Sequence, residues 1–391
     1  MKKLLKSLLA AAALVSTFAA AAENYPINVI LPLTGGASFL GKAEQHALEL
    51  VQKSVNAGGG IQGRPLQFNF FDDQSSPQTA VQMANQVLAL KPAVMIGPSI
   101  VSMCNAVAPL VQQSGPVMYC MSPGIHPAPG SYVFTSSVST HDLENALIRF
   151  FRLKGWTRIA LITSTDASGQ DAERGIDEVL KQPENKGMVL VERAHFNPTD
   201  VSVSAQIERV KAAQPQAFIA WSTGAPIATI FKGIIQAGLN VPVATTDGNM
   251  TYTQMKQYAA FLPKDLYFPV GLWAAAGASL KLPPEVKKAQ DDFYAAYKAD
   301  NATPDEAAAL AWGPAMVLID ALKKLGPNAT AAQVREALAH MKNQPGINGL
   351  IDFEAVPQRG LSVQNALVTR WDPAAQRWQA MSQPTGIPLA K

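Results

Sequence analysis

The stretch from Val94 to Gly124 constrains the fold more than any other part of the sequence. An apolar strand ends at the turn Gly97-Pro98-Ser99, a helix follows, and a second apolar strand ends at Ser122-Pro123-Gly124. Because the helix returns the chain to the start of the next strand, both turns emerge at the carboxyl edge of a parallel sheet. Their small and hydroxyl residues leave backbone N–H groups and a helix N-terminus open to a ligand.

Strands and helices alternate from Ile27 to Thr246, which predicts an α/β fold with parallel sheets covered on both faces. The pattern occurs before and after about residue 138, so it favours two doubly wound parallel-sheet lobes. A single eight-stranded barrel is the rival topology, and the mostly helical stretch from Pro283 to Leu325 argues against it. We expect that stretch to return to the first lobe and the final strands to return to the second.

The predicted organisation is a leader followed by two lobes that each take two parts of the chain. These parts are 1–22 for the leader, 23–137 plus 272–346 for lobe 1, and 138–271 plus 347–391 for lobe 2. Three hinge crossings between the lobes are expected near residues 135–140, 268–277 and 344–350. Several connecting segments restrict the relative motion of two lobes to a hinge.

The N-terminus has the pattern of a secretory signal peptide. A basic front is followed by an apolar run from Leu8 to Phe18 and by alanines up to Ala22. The run is too short to span a bilayer permanently, and the alternative is a core helix. We therefore expect cleavage near Ala22 and export to the periplasm.

Charge and composition limit the classes of partner. Without Lys2, Lys3 and Lys6, Lys plus Arg falls from 32 to 29, which equals the 29 Asp plus Glu. A near-neutral surface argues against nucleic acid or an anionic membrane as the main partner. The two cysteines, Cys104 and Cys120, are expected close to one sheet edge, and an oxidising compartment favours a disulfide between them over two buried thiols.

Signs of catalysis are absent from the sequence. It has no Gly-x-Ser-x-Gly elbow, no phosphate-binding Gly-Lys-Ser loop and no His-Glu-x-x-His. The five histidines show no metal-ligand spacing among them, and two cysteines cannot form a zinc site alone. We therefore predict no enzymatic activity, no cofactor and no metal site.

Four segments carry a family resemblance. They are Ile30-Leu31-Pro32-Leu33-Thr34-Gly35, Asn56-Ala57-Gly58-Gly59-Gly60-Ile61-Gln62-Gly63-Arg64-Pro65, Phe71-Asp72-Asp73-Gln74-Ser75-Ser76-Pro77 and Met95-Ile96-Gly97-Pro98. Through them the chain resembles the type I periplasmic solute-binding proteins of the branched-chain amino acid ABC transporter family. The resemblance implies an extracytoplasmic receptor, expected to be a monomer, that closes two lobes on a small-molecule solute and delivers it to a membrane permease.

The resemblance also implies which positions contact the ligand. Lobe 1 would hold a carboxylate with two turns, and lobe 2 would meet an ammonium group with an acidic residue matched by Asp247. Positions where relatives often carry tyrosines are Ser168 and Gly224 here, so Phe39 and Trp273 would supply apolar walls instead. The full candidate set is Phe39, Ser99, Val101, Ser102, Ser122, Gly124, His126, Asp166, Ser168, Gly224, Asp247 and Trp273.

For several of these residues a structural role is the alternative. Ser102 could cap its helix, Asp166 and Asp247 could cap turns, and His126 could be a solvated loop residue. The missing tyrosines predict an enlarged pocket for a carboxylate-bearing solute at least as large as leucine, either a branched-chain amino acid or an aromatic acid. A periplasmic ligand-sensing subunit that acts on a separate signalling partner is the alternative function.

Overall fold

The computed structural model describes residues 23–275 and 280–390. The predicted signal peptide, residues 1–22, lies outside the described residues, as does part of the second predicted crossing, residues 276–279. None of the helices in the described ranges is long and apolar enough to cross a membrane.

The described chain alternates strands and helices and then becomes mostly helical before its last strands. The strands are β1 (Tyr25–Leu31), β2 (Leu66–Asp72), β3 (Val94–Ile96), β4 (Val117–Tyr119), β5 (Val133–Phe134), β6 (Arg158–Ser164), β7 (Val189–Phe196), β8 (Ala217–Trp221), β9 (Val243–Ala244), β10 (Leu266–Gly271), β11 (Gln344–Gly346), β12 (Gly349–Ile351), β13 (Ala366–Asp372) and β14 (Arg377–Ala380). The helices are α1 (Ser38–Ala57), α2 (Pro77–Ala89), α3 (Val101–Val111), α4 (Thr140–Leu153), α5 (Ala167–Leu180), α6 (Ser204–Ala212), α7 (Ile227–Gln236), α8 (Tyr252–Gln257), α9 (Pro284–Ala299), α10 (Glu306–Leu325) and α11 (Ala331–Ala339).

Two separate sheets define the two lobes. Lobe 1 contains a five-stranded parallel sheet in the order β2-β1-β3-β4-β5, and lobe 2 contains a seven-stranded sheet in the order β14-β13-β10-β9-β8-β6-β7. The predicted fold class, α/β with two doubly wound lobes, is confirmed. The numerical boundaries of the lobes stay a prediction.

The C-terminal part of the chain serves both lobes. Helix α10 packs along α1 of lobe 1, whereas β13 joins the second sheet antiparallel to β10, followed by β14 antiparallel to β13. Lobe 2 therefore has an antiparallel edge that the sequence analysis did not predict. Strand β14 was missed because its sequence, Arg377-Trp378-Gln379-Ala380, is short and lacks an apolar run.

Three element boundaries differ from the expected ones for local reasons. Apolar patterning predicts a strand from Val241 to Thr246, but only β9 (Val243–Ala244) forms, since Pro242 has no N–H for the ladder and Thr246 caps a following 3₁₀ turn. It also predicts a strand from Leu361 to Trp371, but β13 begins later because Ser362 caps another 3₁₀ turn. Turn-capping hydroxyls thus end strands earlier than apolar patterning indicates.

Strand β8 shows how the fold buries both faces of a sheet. All five of its residues are buried, and their side chains alternate between two apolar clusters. Phe218 and Ala220 pack in one cluster, and Ile219 and Trp221 pack in the other. A strand that lies between two helical layers must be apolar at every position, as this one is.

Gly97 at the end of β3 is required by its conformation and by the space around it. Its φ is +84°, and a Cβ placed there would lie 2.1 Å from the carbonyl oxygen of Ile30. We expect Gly97→Ala to lower the free energy of unfolding by about 2 kcal/mol or more, through backbone strain and the clash with β1. Urea unfolding of the wild type and the variant measures this change.

Gly58→Ala is the matched control, because Gly58 has a φ of −87° and would make only ordinary contacts with a Cβ, the nearest at 3.5 Å. A loss of stability in Gly97→Ala no larger than in Gly58→Ala would contradict the geometry assigned to this turn.

Candidate functional site

A cavity lies where the carboxyl edges of the two sheets face each other. Its free volume is about 20 Å³, which is room for about one water molecule, so the two edges lie nearly in contact. Lobe 1 contributes Leu40, Ser99, Ile100, Val101, Ser122, Pro123, Gly124 and Leu310, and lobe 2 contributes Thr140, Ser168, Trp221, Thr223, Thr246, Asp247 and Gly248. The turns Gly97-Pro98-Ser99 and Ser122-Pro123-Gly124 thus both contribute to the cavity wall, as their topology predicts.

The lobe 1 side of the cavity contains an uncapped helix end. Helix α3 begins after Ile100, which provides no side-chain capping bond, whereas Ser76 caps α2 and Ser139 caps α4. The first N–H groups of a helix need an acceptor and carry a partial positive charge. With the buried hydroxyl groups of Ser99 and Ser122 beside it, this end of α3 can accept an anion.

A disulfide holds this part of lobe 1 together. Cys104 in α3 and Cys120 after β4 are bonded, with their Cα atoms 6.2 Å apart. The predicted disulfide is confirmed, and it ties the start of α3 to the turn that carries Ser122.

A buried carboxyl group supports the same turn from behind. Glu44 on α1 is fully buried, and its carboxyl group lies beside the Ser99 hydroxyl. Burial raises the pKa of Glu44 to about 8, with the charges of Asp73 and Asp305 acting in the same direction. Glu44 is therefore mostly protonated at neutral pH and can present a proton to Ser99.

The lobe 2 side of the cavity has a different character. Asp166 caps α5, because its carboxylate accepts hydrogen bonds from the N–H groups of Ser168 and Gly169, each at 3.1 Å. This helix end is already satisfied by a negative charge. Ser168 lines the cavity with its hydroxyl 2.9 Å from that of Thr223.

Asp247 is the acidic residue at the cavity wall, and Glu306 of lobe 1 lies against it. Asp247 Oδ1 accepts hydrogen bonds from the Thr246 hydroxyl at 2.8 Å and the Gly248 N–H at 2.9 Å. Burial raises the pKa of Asp247 to about 6. Burial and the neighbouring charge of Asp247 raise the pKa of Glu306 well above its usual value, and the indole N–H of Trp273 donates to Glu306. Of the two carboxyl groups, Asp247 therefore loses its proton first and Glu306 holds its proton more tightly.

Comparison with known proteins identifies this architecture. A family model described as periplasmic binding protein matches residues 25–376. The chain belongs to the periplasmic binding protein family. The resemblance to type I members of the branched-chain amino acid group is confirmed. A curated relative, Leu/Ile/Val-binding protein homolog 3 of Brucella melitensis biotype 1, is 23% identical over 380 residues, which are 95% of this chain and 97% of the relative.

Solved structures of periplasmic binding proteins share the fold. An extracellular ligand-binding receptor from Rhodopseudomonas palustris HaA2 has a TM-score of 0.81 at 20% identity and covers 91% of this chain and 99% of its own. A branched-chain amino acid transporter substrate binding protein from Streptococcus pneumoniae, in complex with isoleucine, has a TM-score of 0.74 at 18% identity (92% and 98% covered). An ABC transporter solute binding protein from R. palustris, in complex with benzoate, has a TM-score of 0.76 at 17% identity (94% and 98% covered).

Membership of this family bears on two expectations, the absence of enzymatic activity and the location of the protein. Periplasmic binding proteins are solute-binding receptors rather than a class of enzymes, and they work outside the cytoplasm.

Half of the candidate site residues of this periplasmic binding protein line the cavity. They are Ser99, Val101, Ser122, Gly124, Ser168 and Asp247. The other half, which do not line it, are Phe39, Ser102, His126, Asp166, Gly224 and Trp273.

The residues outside the cavity wall have other contacts in this structure. The Ser102 hydroxyl lies 3.0 Å from the sulfur of Met103, and His126 Nε2 lies 2.8 Å from Asp171 Oδ1. Gly224 donates its N–H to Asn249, and Trp273 is buried behind the cavity, where it supports Glu306. Phe39 is half-buried on the first turn of α1.

The expected enlargement of the pocket is not observed. The apolar walls come from Leu40, Trp221 and Leu310, which the sequence analysis did not select. Trp221 ends β8 at the same sheet edge as Asp247, so the strand-end rule could have found it. Leu310 and Glu306 lie in the alanine-rich helix α10, where no sequence signal distinguished them from core positions.

The protonated state of Glu44 makes stability depend on pH. Its pKa is about 8 in the folded chain against a usual value of 4.5. Folding therefore favours the protonated group: its stabilisation is complete below pH 4.5 and is lost as the pH rises through about 8. We expect Glu44→Gln to remove a slope of up to about 1.4 kcal/mol per pH unit from the free energy of unfolding across this window. Urea unfolding at a series of pH values between these limits measures the slope.

Glu49→Gln is the control for this experiment, since Glu49 is exposed on the same helix. Equal slopes in the wild type and in Glu44→Gln would show that Glu44 is not the group that takes up the proton.

Proposed function

We propose that this chain is the solute-binding receptor of an ABC importer, and that it closes its two lobes on a small solute with a carboxylate and an apolar body. The observation that carries the proposal is the cavity between the lobes, with an uncapped helix end on one wall and the Asp247 carboxylate on another. Family membership and the relatives with isoleucine and benzoate support it.

The solute carboxylate binds at the start of α3 in lobe 1. The backbone around Val101 and the hydroxyls of Ser99 and Ser122 are the donors on this wall. The equivalent helix end in lobe 2 is occupied by the carboxylate of Asp166, which would repel a second anion. The solute is therefore oriented with its carboxylate toward the start of α3 in lobe 1 and its other end toward lobe 2.

The other end of the solute faces Asp247. Asp247 is the member of the buried Asp247–Glu306 pair that ionises first, and a buried negative charge is costly without a cation or donor. An ammonium group would provide both. This favours a branched-chain or other hydrophobic amino acid over a simple aromatic acid, which has no group to match Asp247.

The apolar body of the solute packs between Leu40, Trp221 and Leu310. These residues come from both lobes, so an apolar side chain would be fully enclosed only when the lobes are together. Solute binding therefore shifts the population toward the closed arrangement, because each lobe alone offers half of the contacts. In this proposal a membrane permease recognises the closed arrangement. The solute is therefore delivered only by a protein that has closed on it.

The role of Asp247 is testable by its selectivity between solute classes. We expect Asp247→Asn to weaken leucine, isoleucine and valine by about 10- to 100-fold, because the ammonium loses a charge-assisted partner. Binding of benzoate should change little. Isothermal titration of the mature protein, refolded to remove any bound solute, measures both.

Asp200→Asn is the matched control, since this aspartate also belongs to lobe 2 but does not line the cavity. If Asp247→Asn left amino-acid affinity unchanged, the ammonium assignment would be wrong. Silence of the wild type toward every carboxylate would reject the proposed solute class.

The lobe 1 wall gives a complementary prediction. Ser122→Ala should weaken amino acids and aromatic acids alike, by about 10-fold, since both classes share the carboxylate. Ser102→Ala is the comparison, because its hydroxyl contacts the Met103 sulfur away from the cavity. The same titrations report the result, and a larger effect of Ser102→Ala than of Ser122→Ala would contradict the assignment of the carboxylate wall.

A further inference from the structure

Two histidines and an aspartate converge beside the solute cavity, from both lobes. His126 follows β4 of lobe 1, whereas His141 lies on α4 and Asp171 on α5 of lobe 2. Asp171 Oδ1 is 2.8 Å from His126 Nε2 and 3.3 Å from His141 Nε2. One donor atom of each residue lies within 4.8 Å of the other two.

One buried oxygen in this group has no hydrogen-bond partner. It is Asp171 Oδ2, and the Asp171 side chain is only 1% exposed. His141 Nε2 is also buried and lies 3.3 Å from Asp171 Oδ1 without the geometry of a hydrogen bond. Buried polar atoms are nearly always satisfied in folded proteins. When the ring proton of His141 is on Nδ1, Nε2 and Asp171 Oδ2 both offer electron pairs, and a cation can satisfy both.

The surroundings of His141 have the arrangement of a metal ligand. Its other ring nitrogen, Nδ1, lies 3.1 Å from the Glu178 carboxylate. A carboxylate on one nitrogen of a histidine fixes the proton there and leaves the other nitrogen free to bind a metal. Glu144, fully buried nearby, adds a further acidic group on the same side.

We propose that His126, His141 and Asp171 form a Zn²⁺ site that bridges the two lobes. Two imidazoles and one carboxylate with an open fourth position match the ligands zinc takes in proteins, whereas Mg²⁺ and Ca²⁺ prefer oxygen ligands throughout.

Bound zinc stabilises the closed arrangement, because His126 reaches its partners only when lobe 1 meets lobe 2. Zinc and solute therefore strengthen each other's binding by the same factor.

Arg174 is the group that competes with the metal. Its guanidinium lies 3.1 Å from Asp171 Oδ1, one helical turn away, and its side chain is 61% exposed. An exposed arginine can turn into solvent at little cost, so it yields the carboxylate when a metal arrives. Arg174→Gln should consequently strengthen zinc binding.

Titration of zinc into the mature protein tests the site without any solute. The protein is purified without a histidine tag, treated with EDTA and titrated with ZnCl₂ in a calorimeter. We expect one zinc to bind per chain. The affinity of His126→Gln for zinc should be about 100-fold weaker, because loss of a ligand costs at least as much as loss of a group that supports a ligand. His340→Gln is the matched control, since this exposed histidine also lies within 3.5 Å of two carboxylates, Glu336 and Glu354. Equal zinc affinity in the wild type and His126→Gln would overturn the proposal.

Two further measurements separate loss of metal binding from loss of folding, and the zinc site from the proposed solute. Co²⁺ in place of Zn²⁺ should give the visible absorption of a nitrogen-ligated ion in the wild type and in Arg174→Gln, and lose it in Asp171→Asn, with circular dichroism checking that each variant is folded. Solute titrations with and without zinc then test the bridge. Zinc that binds without changing the affinity for a bound solute would overturn the bridging role, whereas absence of solute binding would leave the zinc titration intact and count against the proposed function alone.

Discussion

The return of each helix across a parallel sheet is the constraint on which this structure depends. It places every strand-to-helix turn of a lobe at one edge, so short segments distant in sequence become neighbours. Ser99 and Ser122 meet in lobe 1 in this way, and Ser168, Thr223 and Asp247 meet in lobe 2. Where two such edges face each other, the strand-to-helix turns of both sheets form a polar cavity, and no additional segment is needed.

Burial of acidic groups is the energetic consequence of bringing these edges together. Glu44, Asp247 and Glu306 all lie at or next to the cavity with raised pKa values, and none has a cationic side chain as its main partner. Burial favours the protonated form of Glu44 and Glu306. Asp247, which ionises before Glu306, lines the cavity, where a solute can neutralise its charge. A buried carboxylate without a partner destabilises the folded protein, so a ligand that pairs with Asp247 raises the free energy of unfolding.

Topology and strand ends could be predicted from the sequence because they depend on local patterns. The alternation of apolar strands and helices predicted the two lobes, and the family resemblance, read onto the strand-end turns, indicated six residues that line the cavity. Glu306 could not be recognised, since an acidic residue in the first turn of a helix is ordinary. The approach of His126, His141 and Asp171 to one another was not predicted, because they come from three different parts of the fold. Contacts between lobes leave no periodic trace in a sequence.

The bond between Cys104 and Cys120 has a consequence for when the chain acquires its full binding surface. It closes a short loop, 16 residues in separation, at the lobe 1 wall of the cavity. A chain still in a reducing compartment lacks this link, so the start of α3 and the Ser122 turn are less firmly held relative to each other. Oxidation outside the cytoplasm therefore fixes this wall of the cavity as one unit. The cross-link lies within lobe 1, so it holds the wall together whatever the distance between the two lobes.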